Sequence, residues 1–385
     1  AGGADAGLDA GVDAASDSGP ADAGIPYLLD YDDARFSRPS EASYYDPRDD
    51  SWGASTEAAN WLGADVARIF ADGSSLSEGV RTNEIADCRN LTAAGGSATV
   101  AAGAGPGPDG AGSTADRMTT TTDTSLDNRW RYYTLAATLP TEGAGSIFVM
   151  AGTQGDYCDV GNGSPDRTYA PTNPVPSTWA RLVGHPATRA RSLSVCSGYH
   201  ATTPAGSVGD NLLADLAQLE VGDFATSPIR TNGSAVTRAA DVATFVLDSP
   251  TAAAFSGSWY VDVWPEWSST NTHPVDAHVF DIGAGRMELF AVGTAGTAWG
   301  LRVGTTLVTN AGVGFAAHDN IRLHVTSVIG GEMSLRVENI TQGTAGTTAT
   351  GTASSTTWDG STLTVGNGAG AAFPFSGVIG RPVAE

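Results

Sequence analysis

Residues 218–241 read QLEVGDFATSPIRTNGSAVTRAAD, and how this stretch is read decides how the whole chain is divided. Before it, NLLADLAQLEV (211–221) has the apolar content of a buried strand, with its alternation only half kept. After it, VATFVL (242–247) and GSWYVDVWPEW (257–267) begin again with the same character. The Gly, Asp, Pro and Asn between them are the residues of an extended crossing. The stretch therefore reads as a seam between two β-rich blocks.

Working outward from the seam, the first block offers strands at WRYYTLAATL (130–139), GSIFVMAG (145–152), TWARLVGH (178–185) and ARSLSVCS (190–197). Turn-forming clusters separate them, the pattern of a jelly roll rather than of alternating strands and helices. The second block places short strands at AHVFDIG, RMELFAV, AWGLRVG, NIRLHVTSV, EMSLRVEN, STLTVGN and FSGVIGR, at the spacing of a sandwich. The expected fold is all-β: two tandem jelly-roll sandwiches after a low-complexity tail. The divisions are a tail at 1–26, a leader at 27–84 expected to pack on the first domain, a first domain at 85–226, a linker at 227–241 and a second domain at 242–385.

The bulk numbers exclude whole classes of function. A chain of 385 residues has room for two ordinary domains. Its net charge of −22 repels polyphosphates and anionic bilayers, so nucleic acid is not an expected partner. No apolar run approaches the ~20 residues that span a membrane. The chain opens on Ala1 rather than Met, the expectation for a soluble chain whose signal segment has been removed. In the tail, Asp5, Asp9, Asp13 and Asp17 recur every fourth residue among Gly and Ala. On a helix they would repel one another, so the tail reads as an extended spacer. Held by a second copy, such a segment is an assembly device, completing a neighbour's sheet to make a homo-oligomer or fibre.

Candidate chemistry is concentrated in a few places. Along the strand from Trp259, alternation puts Trp259, Val261 and Val263 on one face and Tyr260, Asp262, Trp264 and Glu266 on the other. Rings beside carboxylates make a sugar platform; burial of both faces between two sheets is the competing reading. As a hydrolase pair, Asp262 and Glu266 would stand ~13 Å apart along a strand, too far for a retaining or inverting mechanism. The loop GDYCDVGNGSPDR offers Asp156, Asp159, Asn162 and Asp166 as hard oxygen ligands for a structural Ca²⁺, against the alternative of a solvated acidic loop. Of three cysteines, Cys158 and Cys196 are the candidate disulfide with Cys88 left over; three buried thiols is the alternative. The six histidines show no HxH or HExxH spacing, and GxSxG and Walker loops are absent.

Several motifs carry a family resemblance. The leader holds Arg35-Phe36-Ser37-Arg38, Arg68-Ile69-Phe70 and Arg81-Thr82-Asn83, and resembles the leaders of phage tail-fibre and other virion structural proteins, which continue into Leu-Leu where this chain has Glu84-Ile85. GAGPGPDGAGSTADRMTTTT (103–122) resembles a stretch of the carbohydrate-binding jelly rolls of those proteins. So does the seam, through Gln218-Leu219-Glu220, Phe224–Ile229 and Ala235–Asp241, with Pro228 standing where the family commonly has an aromatic. The second domain, with its Leu-Thr-Val-Gly strand leading to Phe375-Ser376-Gly377, resembles a concanavalin A-like, laminin-G-type jelly roll. The catalytic members of that superfamily carry a Glu-x-Asp-x-x-Glu strand whose first Glu is missing here. The tail resembles the Asp-Ala-Gly spacers of bacterial surface lipoproteins. Together the resemblances imply a non-catalytic, extracellular, cell-surface or virion-appendage protein with lectin-like domains. Glycans or a cell-surface polysaccharide are the implied partners; a polysaccharide-degrading enzyme is the alternative.

Overall fold

The computed structural model describes residues 28–385 apart from 122–129, 135–138, 152–156, 162–167, 171–176, 189–191, 197–208, 248–254, 271–275, 284–286, 294–296, 354–361, 367–374 and shorter gaps of one or two residues. The fold is all-β, as expected: the described helical turns are one α turn, Glu57–Asn60, and one 3-10 turn, Leu91–Ala93. The tail lies outside the described residues, as do Asp156, Asn162 and Asp166.

The strand that leads into the seam, Asn211–Val221, runs through the middle of a five-stranded sheet, between Glu142–Ala151 and Ala115–Thr119. Ala180–Thr188 and Thr99–Gly105 form the edges of that sheet. A second five-stranded sheet faces it, in the order Thr168–Ala170, Tyr157–Gly161, Ser192–Cys196, Trp130–Thr134, Gly95–Gly96. Met118, Ile147, Val149, Leu193, Val195, Leu212 and Leu219 fill the space between. The half-kept alternation of NLLADLAQLEV now has a cause. The ladder to Glu142–Ala151 slips by one residue beside Leu216, whose φ is +50°. The inward set therefore changes from Leu212 and Ala214 to Ala217 and Leu219, the parity change that a β-bulge imposes.

The second sandwich encloses a larger core, with Trp259, Val261, Val263, Phe280, Leu289, Trp299, Leu323 and Leu335 fully buried in it. One of its sheets has seven strands, ordered Arg35–Ser37, Val242–Val246, Thr362–Val365, Ala277–Ile282, Met287–Ala291, Trp299–Val303, Thr306–Asn310. The other has eight, with Ser258–Pro265 at its centre between Ile321–Ser327 and Gly377–Ile379. Inside and outside alternate residue by residue along Ser258–Pro265, which is the period-two reading of that strand.

The leader touches both sandwiches. Tyr45, Trp52 and Trp61 pack with Cys88, Phe148 and Leu216 of the first. Its strands join the second: Arg35–Ser37 pairs with Val242–Val246, and Ser75–Ser77 with Gly377–Ile379. A third leader strand, Arg81–Asn83, pairs with Val236–Arg238 inside the seam. Expected to pack on the first domain, the leader also supplies strands to both sheets of the second.

Candidate functional site

The seam is a buried ionic junction. Arg68 binds the carboxylates of Glu78 and Asp241 and donates to the Ser227 hydroxyl at 2.7 Å. Arg38 pairs with Asp241 at 2.9 Å, and Arg238 with Glu78 at 2.8 Å. None of these six side chains exposes more than 1% of its surface. Asn83 ties the leader to the same place, donating to the carbonyls of Ala217 and Ile229 and accepting from the amides of Ile85 and Leu219. Gln218 and Glu220 hold the crossing itself, through Ile229, Thr226 and Ser227. Burial would push the Glu78 carboxyl up, but Arg238 and Arg68 hold it well below the usual carboxylate range. Glu266 lies beside it: burial, then the charge of Glu78, raises its carboxyl well above that range against the weaker pull of Arg238 and Arg181.

This placement corrects one part of the sugar-platform reading. The strand ends at Pro265, and Glu266 turns into the junction instead of joining Tyr260, Asp262 and Trp264 on the outer face. Those three do share that face, half-buried. Asp262 receives a two-pronged contact from Arg322, at 2.7 and 2.8 Å, and the Arg322 guanidinium lies 4.3 Å over the Tyr260 ring. Trp264 carries Arg48 at 5.1 Å, itself held by Asp46 and Asp72. On this face the Asp262 carboxylate and the Tyr260 and Trp264 rings are each in contact with an arginine of the chain.

The open site lies elsewhere. A cleft of about 890 Å³ runs where the leader, the first sandwich and the seam meet. The leader contributes Glu41 and Glu57, the start of the first sandwich Asp87 and Arg89, the strand Ala115–Thr119 contributes Asp116, and the seam Arg230 and Asn232. Arg89 is fixed from below, donating to Asp215 and to the Thr114 hydroxyl at 2.8 Å each and pairing with Asp109. Asp109 in turn accepts from the Trp61 indole at 2.6 Å, and its carbonyl from Asn60. The loop must be glycine at Gly107, because a Cβ there would stand 2.4 Å from the Thr114 hydroxyl and 2.5 Å from an Asp215 oxygen. Arg230 spans the rim to Glu41 at 2.9 Å and Glu57 at 3.0 Å, its guanidinium 4.8 Å from the Trp61 ring centre.

Burial pushes the Asp215 carboxyl up to about 6 against the pull of Arg89, and raises Asp116 although the amides of Leu91 and Gly103 bond to it. Four lining carboxylates, at Glu41, Glu57, Asp87 and Asp116, outnumber the two arginines. The cleft is thus a negatively biased set of fixed donors and acceptors. No sequence motif announced it, since its side chains come from separate segments brought together only by the leader's crossing.

Of the remaining expectations, Asp159 sits in the strand Tyr157–Gly161, opposite Ser194 and Tyr169. The other three residues of the proposed Ca²⁺ loop fall outside the described residues. Cys158 and Cys196 lie on neighbouring strands, Cys158 opposite Val195 and Cys196 opposite Tyr157, one ladder position out of step. Cys88 is a buried free thiol, held high by that burial.

No family model matches the chain, and no curated protein does. Among solved structures, it is similar to the binding domain of Botulinum neurotoxin DC, seen in complex with rat synaptotagmin II and in complex with SialylT. Each likeness has 9% identity and a TM-score of 0.25, and covers 37% of this chain and 36% of the neurotoxin chain.

Proposed function

We propose that the chain is a non-catalytic, surface-exposed binding protein whose cleft between leader and first sandwich takes a neutral glycan. The observation that supports this reading is the cleft's lining: an open volume of about 890 Å³ walled by side chains that hydrogen-bond, with Arg89 immobilised in advance by Asp109, Asp215 and Thr114. Fixed carboxylates and guanidinium groups are the partners that sugar hydroxyls need, and holding them before binding lowers the ordering cost. The acidic excess disfavours sulfated or uronic chains. A hydrolytic reading built on Asp262 and Glu266 loses support, because the two carboxyls do not share a face. An extracellular fibre or appendage remains the proposed setting, with the Asp-rich tail as the assembling segment.

The test is an array of neutral and anionic polysaccharides probed with the full chain, followed by calorimetry on any hit. Neutral glycans should bind, and Glu57→Gln or Asn232→Ala should weaken binding by about tenfold, the loss of one good hydrogen bond. Binding to no polysaccharide, or binding untouched by both substitutions, overturns the site. New reducing ends on incubation with any of them would overturn the non-catalytic half of the proposal.

A further inference from the structure

The outer face of the seven-stranded sheet holds a second cluster, remote in character from the cleft. His278, Asp281 and Glu288 each bring one ligand atom within 4.8 Å of the other two, and all three side chains are buried. Three residues apart on a regular strand, His278 and Asp281 would face opposite ways. The ladder between Ala277–Ile282 and Met287–Ala291 shifts register between His278 and Phe280, and this bulge returns both to the outer face. Asp281 then stands directly opposite Glu288 on the neighbouring strand. Arg302 pairs with Glu288. The His278 ring stacks on Phe290, its centroid 5.4 Å away, and its Nδ1 has no hydrogen-bond partner although the residue is only 8% exposed.

A buried imidazole nitrogen without a partner, beside two facing carboxylates, is an unusual thing for a fold to keep. His324 shows the contrast. It also has two acids for neighbours, but each ring nitrogen is spent on one of them, Nδ1 on Glu385 at 2.6 Å and Nε2 on Glu338 at 3.2 Å. From this the geometry points to a divalent transition-metal site at His278, Asp281 and Glu288, with Zn²⁺ as the ion. One imidazole and two carboxylates, with no thiolate, is a donor set zinc accepts, whereas Ca²⁺ and Mg²⁺ prefer oxygen alone. In a tetrahedral zinc site with bonds of about 2.0–2.2 Å the ligand atoms lie about 3.3–3.6 Å apart, so a cluster whose ligand atoms lie within 4.8 Å of one another closes with side-chain movements of about 1.5 Å or less. The ion would tie two adjacent strands together and offset the facing acids. It plays no part in the cleft's binding.

Tag-free full-length chain, dialysed against chelator, should take up one equivalent of Zn²⁺ by calorimetry, and its thermal midpoint should rise with zinc. His278→Ala and Asp281→Asn should each weaken uptake at least about tenfold, the effect expected from losing one ligand, while His324→Ala leaves it unchanged. Absence of uptake, uptake retained in both cluster variants, or uptake lost in His324→Ala overturns the proposal. If the cluster variants do not fold, Co²⁺-loaded wild-type chain decides: X-ray absorption showing one imidazole and oxygen ligands upholds the site, and an all-oxygen shell overturns it.

Discussion

The seam junction and the cleft are built from the same two residue types, arginines and carboxylates, and they meet at the same crossing of the chain. In the junction Arg38, Arg68 and Arg238 are sealed from water, each against a named acid. In the cleft Arg230 is 33% exposed and shares two acids, Glu41 and Glu57, that are themselves open to solvent. Burial makes the first set indispensable to the fold, because a charge left alone there has no water to turn to. Exposure makes the second set nearly free of structural duty and so available to a ligand. An arginine's chemistry is therefore assigned by its solvent, and composition cannot make that assignment.

The sharpest way to break the comparison is at its most buried cation. Arg68→Ala removes one of the two arginine partners of each of Glu78 and Asp241 and leaves two carboxylates buried with reduced compensation. A loss of about 3–5 kcal/mol in unfolding free energy is expected from denaturant titration, enough to threaten folding altogether. A loss under about 1 kcal/mol would mean that water reaches the junction, placing it in the same class as the cleft.

How much of this was legible beforehand follows the same line. Strands with strict alternation, such as Ser258–Pro265 and Ile321–Ser327, could be read from period alone because one face is core and the other is not. Thr99–Gly105, an edge strand, and Ala115–Thr119 beside it could not, since Gly, Ala and Asp give neither a run nor an alternation of large apolar side chains and the strands pair through backbone. The motifs quoted for the family resemblance proved informative in an unexpected way: Arg38, Arg68, Asn83, Ser227, Arg238 and Asp241 all lie in them, and all are buried at the junction. The signal was there as arginines set among apolar neighbours, but its meaning depended on the leader crossing to both sandwiches. Glu266 was misplaced for a related reason. Period two holds only while the ladder lasts, and after Pro265 the chain turns inward toward Glu78.

Glu266 gives a second, smaller way to sharpen the contrast. Its folded carboxyl binds a proton at a pH where the unfolded one has lost it. Between the ordinary carboxylate pKa and the raised one, the native state therefore holds more protons, and stability falls as pH rises. Glu266→Gln copies the protonated form and removes that dependence. The variant should match wild type in acid and become the more stable of the two as pH rises, the gap widening by up to about 1.4 kcal/mol per pH unit across that window. Parallel stability curves for the two proteins from acid through neutral to alkaline pH would show that Glu266 is ionised in the fold and the junction wetter than its burial implies.

The smallest structural effect is expected on the other side of the comparison. Arg230→Ala removes two exposed ion pairs, worth about 0–1 kcal/mol together, and a cation–π contact with Trp61 worth about 0.5–1 kcal/mol. The unfolding free energy should fall by no more than about 2 kcal/mol, and the loss should shrink further in high salt, because solvent already screens both acids. Glycan affinity should fall by about tenfold in the same variant, since a charged donor at the rim is lost where a sugar hydroxyl would accept it. That division, a large change in binding on a small change in stability, is the reverse of what Arg68 should show. If Arg230→Ala instead unfolds the chain while binding per folded molecule is unchanged, the rim of the cleft is a continuation of the buried junction, and the ligand site must be sought on another face.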